Sequence, residues 1–366
     1  MTNLGSSTVS TIVSRLREKQ WIQETPLPSG RRGAKPVLIR LNPQGGHLVA
    51  VEINPHTVRI GLFNFHCELT DQISIPIGTN HSVENVLRLL EINIRGLVSK
   101  ADIQPDKILG IGVTLSGSIT PDGIVELSSP LGWKMVPLRR LLEERLDWPI
   151  ELYSTKVRLL AEIRSQPSLQ SKNIIYFNIA DGVGSTFLID GRLISGATRR
   201  SGEIGHITIL PNGPQCGCGH RGCLEALISG PALLKKMLLE TADLGETDFR
   251  RRLAAVRSPE QALEELAEAV RSRNPYALSV RNFIADHLCY AAAAAVNLFD
   301  PDVLILAGYV NQPFADYFTQ RLYEYFPDHV YDFASRHIEI LPARAGKGAL
   351  IQGAAAALFQ NTISPF

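Results

Sequence analysis

The sequence predicts an α/β protein of two lobes, preceded by a short basic segment that reads as a helix followed by a two-stranded wing. Three observations predict it. Strand-like and helix-like stretches alternate in two similar sets from His47 onward. A cysteine-rich loop interrupts the second set. The first 42 residues differ in texture: seven Lys or Arg against two Asp or Glu, a net of +5, which leaves −4 for the rest of a chain whose total is +1.

"SSTVSTIVSRLREKQWI" predicts a short helix capped by Ser6 or Ser7, with Val9, Ile12, Val13 and Leu16 at helical spacing. Extended pieces at 21–24 and 37–41 flank a turn-rich loop that carries Arg31, Arg32 and Lys35. "HLVAVEI", "TVRIGLFNF" and "QISIPI" then read as strands, 83–99 as a helix and "ILGIGVTLSG" as a buried strand running into a glycine turn. "PLRRLLEERL" reads as a helix and "IELYS" as a strand. The second set opens with "NIIYFNIA", "STFLID" and "RLISG". Beyond the cysteine loop the chain is expected to be helical from 231 to about 273 and again over Pro275–Phe299. "DVLILAG" reads as a strand, and "GALIQGAAAALF" as a closing helix of small residues. The expected domains are 1–42, the basic segment; 43–150, a first lobe joined by the C-terminal helix 346–366; and 151–345, a second lobe with the cysteine loop.

Apolar content of 45% and charged content of 20% are those of an ordinary globular protein, and 366 residues allow more than one core. No apolar run matches a bilayer's thickness, and Met1 is not followed by a charged-then-apolar leader. A membrane span and a signal peptide are therefore not expected, and a cytoplasmic location is. Five cysteines, three of them clustered, suit a reducing compartment and a metal better than a disulfide framework. A basic end on a slightly acidic body suits an anionic partner.

"GEIGHITILPNGPQCGCGHRGCLEA", 202–226, holds two histidines and three cysteines, of which His206, Cys216, Cys218 and Cys223 offer one imidazole and three thiols. Such a set is a usual closed tetrahedral zinc site. The C-x-C and C-x4-C spacings let one tight loop wrap a single ion, and Gly217, Gly219 and Gly222 ease that path. His206 is the preferred nitrogen donor, with His220 as its competitor. With all four positions taken, no place remains for a catalytic water, so the zinc is expected to be structural.

"GEIGH" followed by "CGCGHRGCLE" resembles the signature of the ROK family (repressors, open reading frames and sugar kinases). "GLFNF", "GIGVTLSG", "LGW", "DGVG", "LIDGRLISGA" and "GALIQGAAAAL" fall in that family's order, from about residue 41 to the C-terminus. The resemblance implies an actin-like (ribonuclease H-like) two-lobed fold of the ATPase type with a sugar site in its cleft. It implies that His206 and the three cysteines hold zinc, and that Glu203, His206 and Glu225 contact the sugar. Carboxylates suit that task because each accepts hydrogen bonds from neighbouring hydroxyls.

A sugar kinase of the family needs a proton acceptor and two phosphate loops. Where the family has Asn-Asp in a pattern like "NDANAAALAE", this chain reads "YSTKVRLLAE", with Tyr153 and Ser154. A serine hydroxyl is no general base near neutral pH. The loop resembling "DxGGTK" is "EINPHTV", where Pro55 has no N–H for a phosphate oxygen. The "GTGxGGG" loop is "ADGVGSTF", with an extra charge at Asp181, and an expected "GGG" is "AGY" at 307–309. No catalytic residue is expected.

The basic segment resembles the recognition helix and wing of the winged helix-turn-helix of ROK repressors, truncated at its start. Ser6, Ser7, Thr8, Ser10 and Thr11 are the candidate groove contacts, and Arg31, Arg32 and Lys35 the candidate phosphate or minor-groove contacts. About five residues precede Ser6, too few for the bracing helices. An internal Met start, with a longer form bearing them, is the expectation. The function expected is a sugar-responsive transcriptional regulator, a repressor of carbohydrate metabolism, inactive as a kinase. It would bind a DNA operator and a sugar or sugar-phosphate effector as a homodimer or tetramer. A ROK sugar kinase, or a sugar-binding protein without DNA contact, are the alternatives.

Overall fold

The structure, a computed structural model, describes residues 5–26, 37–78, 80–242, 248–346 and 348–363. The chain divides into two compact units, Met1–Arg164 with Ala345–Phe366, and Ser165–Arg344.

In the first unit, α1 (Ser6–Glu18) leads into an antiparallel hairpin of β1 (Ile22–Pro26) and β2 (Val37–Leu41). Gly5 is the N-cap of α1 and no side chain caps it, so the expected cap at Ser6 or Ser7 is corrected: both residues already lie inside the helix. Ile12, Val13 and Leu16 are only half-buried. The helix and hairpin are fastened to the rest of the unit through Trp21, whose ring centroid lies 5.3 Å from that of Phe65. Phe65 meets Phe359 edge-on at 5.1 Å.

A five-stranded sheet carries the unit. Its first strands are β3 (His47–Ile53), β4 (Thr57–Asn64) and β5 (Leu69–Pro76). After α2 (Val83–Lys100) comes β6 (Ile108–Leu115). A small antiparallel sheet of β7 (Ser118–Ile119), β8 (Val125–Ser128) and β9 (Trp133–Val136) intervenes, with α3 (Leu138–Glu143), before β10 (Ile150–Tyr153). The unit then runs on through α4 (Arg158–Ser165). The sheet order is β10-β6-β3-β4-β5, with β3 antiparallel to β4 and parallel to β6.

Central β3 is buried along its whole length, which is why it reads as an almost continuous apolar run. Val49, Val51 and Ile53 belong to one core with Val86, Leu90 and Ile94 of α2. Leu48 and Ala50 belong to another with Ile351, Ala354 and Leu358 of the C-terminal helix, Ala349–Ile363. That helix must be built of small residues because it comes so near. A Cβ on Gly112 would sit 3.2 Å from the Ala354 carbonyl oxygen, and one on Gly353 would overlap the Val157 carbonyl.

The second unit repeats the topology. Its elements are β11 (Ile174–Ile179), β12 (Val183–Ile189), β13 (Arg192–Leu193), α5 (Glu225–Ile228), α6 (Gly230–Glu240), α7 (Asp248–Ala255), α8 (Pro259–Arg271), α9 (Pro275–Phe299), β14 (Val303–Ala307), α10 (Ala315–His329) and β15 (Glu339–Pro342). The order β13-β12-β11-β14-β15 again puts the first strand at the centre, a meander to one side and two parallel strands to the other. Among its described residues, the stretch 231–273 holds three helices rather than one. Ser258 restarts the chain as a cap, its hydroxyl accepting from the Gln261 N–H ahead of Pro259 in the first turn. No pattern read in the sequence corresponds to α10. It buries Phe318, Leu322 and Phe326 at helical spacing, but Pro327 stands in its last turn. Among the described residues no helix is long and apolar enough to cross a membrane.

Gly353→Ala is expected to cost about 1–3 kcal/mol, since the added methyl meets backbone. Gly96→Ala, on α2 with open space around the added carbon, is expected to gain about 0.5–1 kcal/mol. Urea denaturation of both variants checks the pair. His47 opens β3 almost completely buried, with an Nδ1 that has no partner among the described residues. Burial holds its imidazole below the ordinary value. The folded state thus prefers the neutral ring, and stability drops as pH falls below about 6.5. His47→Gln is expected to flatten that slope between roughly pH 7 and pH 5, read by urea denaturation at each pH.

Candidate metal and ligand site

The site is built on β12. The "GEIGH" segment lies flat against that strand: the Ser185 amide and hydroxyl both donate to the Gly202 carbonyl, at 2.8 and 3.1 Å. A Cβ on Gly202 would overlap the Ser185 carbonyl, and one on Gly205 the Val183 carbonyl. Both glycines of the motif are therefore required by close approach. Buried Ile204 anchors a 3-10 turn, Ile204–His206, which ends on the imidazole.

The cysteine loop returns to the same place. Bridges pair Thr208 with Cys223 and Gln215 with Arg221. At the tip the Cys216 amide donates to the His220 carbonyl at 2.8 Å, and the Gly219 amide to the Cys216 carbonyl at 3.1 Å. Gly219 has φ +95, and Gly222 has φ +72 with its Cα against the Leu210 carbonyl.

One nitrogen and three sulfurs of His206, Cys216, Cys218 and Cys223 all lie within 4.8 Å of one another. Cys216 Sγ is 3.7 Å from His206 Nδ1, and Cys218 Sγ is 3.7 Å from Cys223 Sγ. Bond lengths of about 2.3 Å to sulfur and 2.0–2.1 Å to nitrogen in a tetrahedral zinc site put neighbouring donors roughly 3.5–3.8 Å apart. The donor set fits that ion in chemistry and in spacing, and it can hold one. His220 Nδ1 lies 3.5 Å from Cys218 Sγ, outside the four-donor group. Burial pushes the Cys223 thiol up to about 12 and the Cys216 thiol above its ordinary value, whereas the His220 backbone N–H pulls Cys218 down to about 6. A bound cation would remove the penalty on three adjacent thiolates.

Of the proposed sugar contacts, Glu225 is half-buried beside the donors. Its Oε2 accepts from the Val183 N–H at 3.0 Å, and its Oε1 lies 3.9 Å from Cys216 Sγ. A Cβ on Gly182 would come within 2.9 Å of that carboxylate, so this glycine keeps its place open. Glu203 is exposed at the start of the 3-10 turn. Ser6 opens α1, on which Ser7, Thr8, Ser10 and Thr11 are exposed, far in sequence from this site. Thr11 spends its hydroxyl on the Ser7 carbonyl at 3.0 Å. Arg31, Arg32 and Lys35 lie outside the described residues.

The ROK family's sequence profile matches residues 48–361. The chain belongs to the ROK family. Among ROK relatives, a xylose repressor of Caldicellulosiruptor bescii is 27% identical over 308 residues, covering 84% of this chain and 76% of that one. A glucokinase of Thermotoga maritima is 28% identical over 269 residues, covering 72% and 82%. An N-acetylglucosamine repressor of Escherichia coli is 24% identical over 314 residues, covering 84% and 75%. Among solved structures, a ROK transcriptional regulator described as a homologue of the E. coli MLC protein superposes with a TM-score of 0.82 at 23% identity, covering 99% of this chain and 91% of that one. A ROK hexokinase from Thermus thermophilus gives 0.72 at 24%, covering 87% and 99%. The fold is the actin-like sugar-kinase fold of the ROK family.

Three contacts in this ROK chain went unread in the sequence. The Tyr309 hydroxyl donates to Asp181 Oδ1 at 2.6 Å, and burial raises its pKa. A Cβ on Gly230 would overlap that hydroxyl. Arg59 Nη1 sits 2.6 Å from Glu52 Oε2. Asn54 Oδ1 accepts from the His56 and Thr57 amides, each at 2.9 Å. Only the departures of "EINPHTV", "ADGVG" and "AGY" from glycine-rich loops hinted at them.

Cys216→Ser is expected to lower bound zinc to a small fraction of the parent's content, measured by elemental analysis. Chelation of the parent is expected to lower its thermal midpoint.

Proposed function

We propose that the chain is a sugar-responsive transcriptional regulator of the ROK type, acting as a repressor in the cytoplasm and transferring no phosphoryl group. The observation that carries this reading is the way the two hairpin turns are closed by the protein's own groups. In the turn between β3 and β4, the Asn54 side chain takes amides that a phosphate loop would offer to its ligand, and Arg59 occupies Glu52. In the turn between β11 and β12, the Tyr309 hydroxyl donates its proton to Asp181 and occupies one of its carboxylate oxygens. Tyr153 and Ser154 stand where the family's kinases carry Asn and Asp, so a proton acceptor is missing as well.

The ligand side is kept. A structural zinc on His206, Cys216, Cys218 and Cys223 would hold the loop, leaving Glu225, Glu203 and His206 to receive sugar hydroxyls. Relatives named xylose repressor and N-acetylglucosamine repressor support a sugar effector. The regulator structure spans 99% of this chain and the hexokinase structure 87%, which supports reading α1 and its hairpin as part of a winged helix. In this reading Ser6, Ser7, Thr8, Ser10, Thr11, Arg31, Arg32 and Lys35 contact the operator, and the sugar shifts the population between two states of different operator affinity. A dimer or tetramer would place two such helices on one operator.

Relatives named glucokinase make phosphoryl transfer the rival outcome. A coupled assay of ADP release over hexoses, pentoses and N-acetylhexosamines is expected to show no turnover. One sugar or sugar phosphate is expected to raise the thermal midpoint and change a footprint on the chain's own promoter. Glu225→Gln is expected to abolish that midpoint shift. Turnover that disappears in Glu203→Gln would overturn the regulator reading.

A further inference from the structure

The four donors are unequally protected. Cys216 and Cys223 are buried, and so are Cys67 and Cys289 of the two units' interiors. Cys218 is the only exposed cysteine of the five. It stands at the loop tip between Gly217 and Gly219, where an added Cβ would meet nothing within 4 Å at either glycine. Its sulfur lies 3.7 Å from that of Cys223, while Cys216 is turned toward His206 and Glu225. A solvent-facing sulfur beside a shielded one is the arrangement of an attacking and a resolving thiol.

We propose that Cys218 and Cys223 are an oxidation site for hydroperoxides, and that closing their disulfide releases the metal and loosens the ligand site. This rests on the zinc reading given above. The Cys218 thiolate attacks the peroxide: an S–O bond forms, the O–O bond breaks, and hydroxide or alkoxide leaves and takes a proton from water. The Cys223 thiolate then attacks that sulfur. The S–S bond forms, the S–O bond breaks, and a second hydroxide leaves and is protonated. The two sulfurs lose two electrons, which the peroxide takes up. The sulfurs must approach from 3.7 Å to about 2.05 Å, a movement of the unpacked glycine-flanked tip. Two donors would remain, His206 and Cys216, too few to close a tetrahedral site. Glu225 would then lose the fixed wall that Cys216 presents to it. A dithiol reverses the reaction.

The test uses the full chain, purified under reducing conditions and assayed for zinc. Hydrogen peroxide in molar excess is added, released zinc is followed with a chromogenic chelator, and crosslinks are mapped by peptide mass spectrometry. The expected result is loss of about one zinc per chain, a Cys218–Cys223 crosslink, and recovery with dithiothreitol and added zinc. Cys218→Ser is expected to form no crosslink. Should that variant fail to fold, mapping on the parent chain decides alone. A crosslink through Cys216, over-oxidation of Cys223 ahead of Cys218, or retention of zinc after Cys218 reacts would each overturn the proposal. If the purified chain holds no zinc, the metal reading falls, while the crosslink map still decides the oxidation site.

Discussion

The site depends on a backbone approach too close for any side chain. Gly202 and Gly205 bring the "GEIGH" segment onto β12 until their Cα atoms face the carbonyls of Ser185 and Val183. That contact sets the height of His206 above the strand. The same strand offers the Val183 N–H that orients Glu225. Gly222 repeats the device against Leu210 and delivers Cys223 beside Cys218. The donor set is thus assembled by steric permission at three glycines, and an ion would offset the repulsion among thiolates that the loop brings together.

The two units share one topology, and each has a hairpin turn where its central strand meets the next. In both, polar groups at or beside that turn bond one another. Asn54 folds back on its own turn, Arg59 neutralises Glu52, and Tyr309 bonds Asp181. Each is a local contact within one unit, and the two five-stranded sheets have matching strand orders. A family fold does not by itself fix the chemistry at its turns, which depends on the residues placed there.

Much of this was legible in the residues. The period-2 strands and continuous apolar runs of the two sets appear as two five-stranded sheets, and the antiparallel hairpin after α1 is present. The spacing of His206, Cys216, Cys218 and Cys223 pointed to the group whose donor atoms converge. Other features were not legible. The α1 cap was misplaced because Gly5, with no polar side chain, serves where two serines follow at once. Helix α10 was missed because Pro327 and a run of aromatic residues obscure the spacing of Phe318, Leu322 and Phe326. The breaks within 231–273 depend on caps such as Ser258, a weak signal inside a long helical composition.

By itself, the sequence determined the class of the fold, the donor types of the cysteine loop and the residues Tyr153 and Ser154 ahead of "LLAE", because each is carried by residue identity and short-range spacing. Tertiary structure alone decided which cysteine faces solvent and that Tyr309 reaches Asp181 across 128 positions, and it brings His206, which the sequence had only preferred over His220, together with the three sulfurs. Those outcomes turn on distances between segments remote in the chain, and such distances exist only once the sheets have brought the segments together.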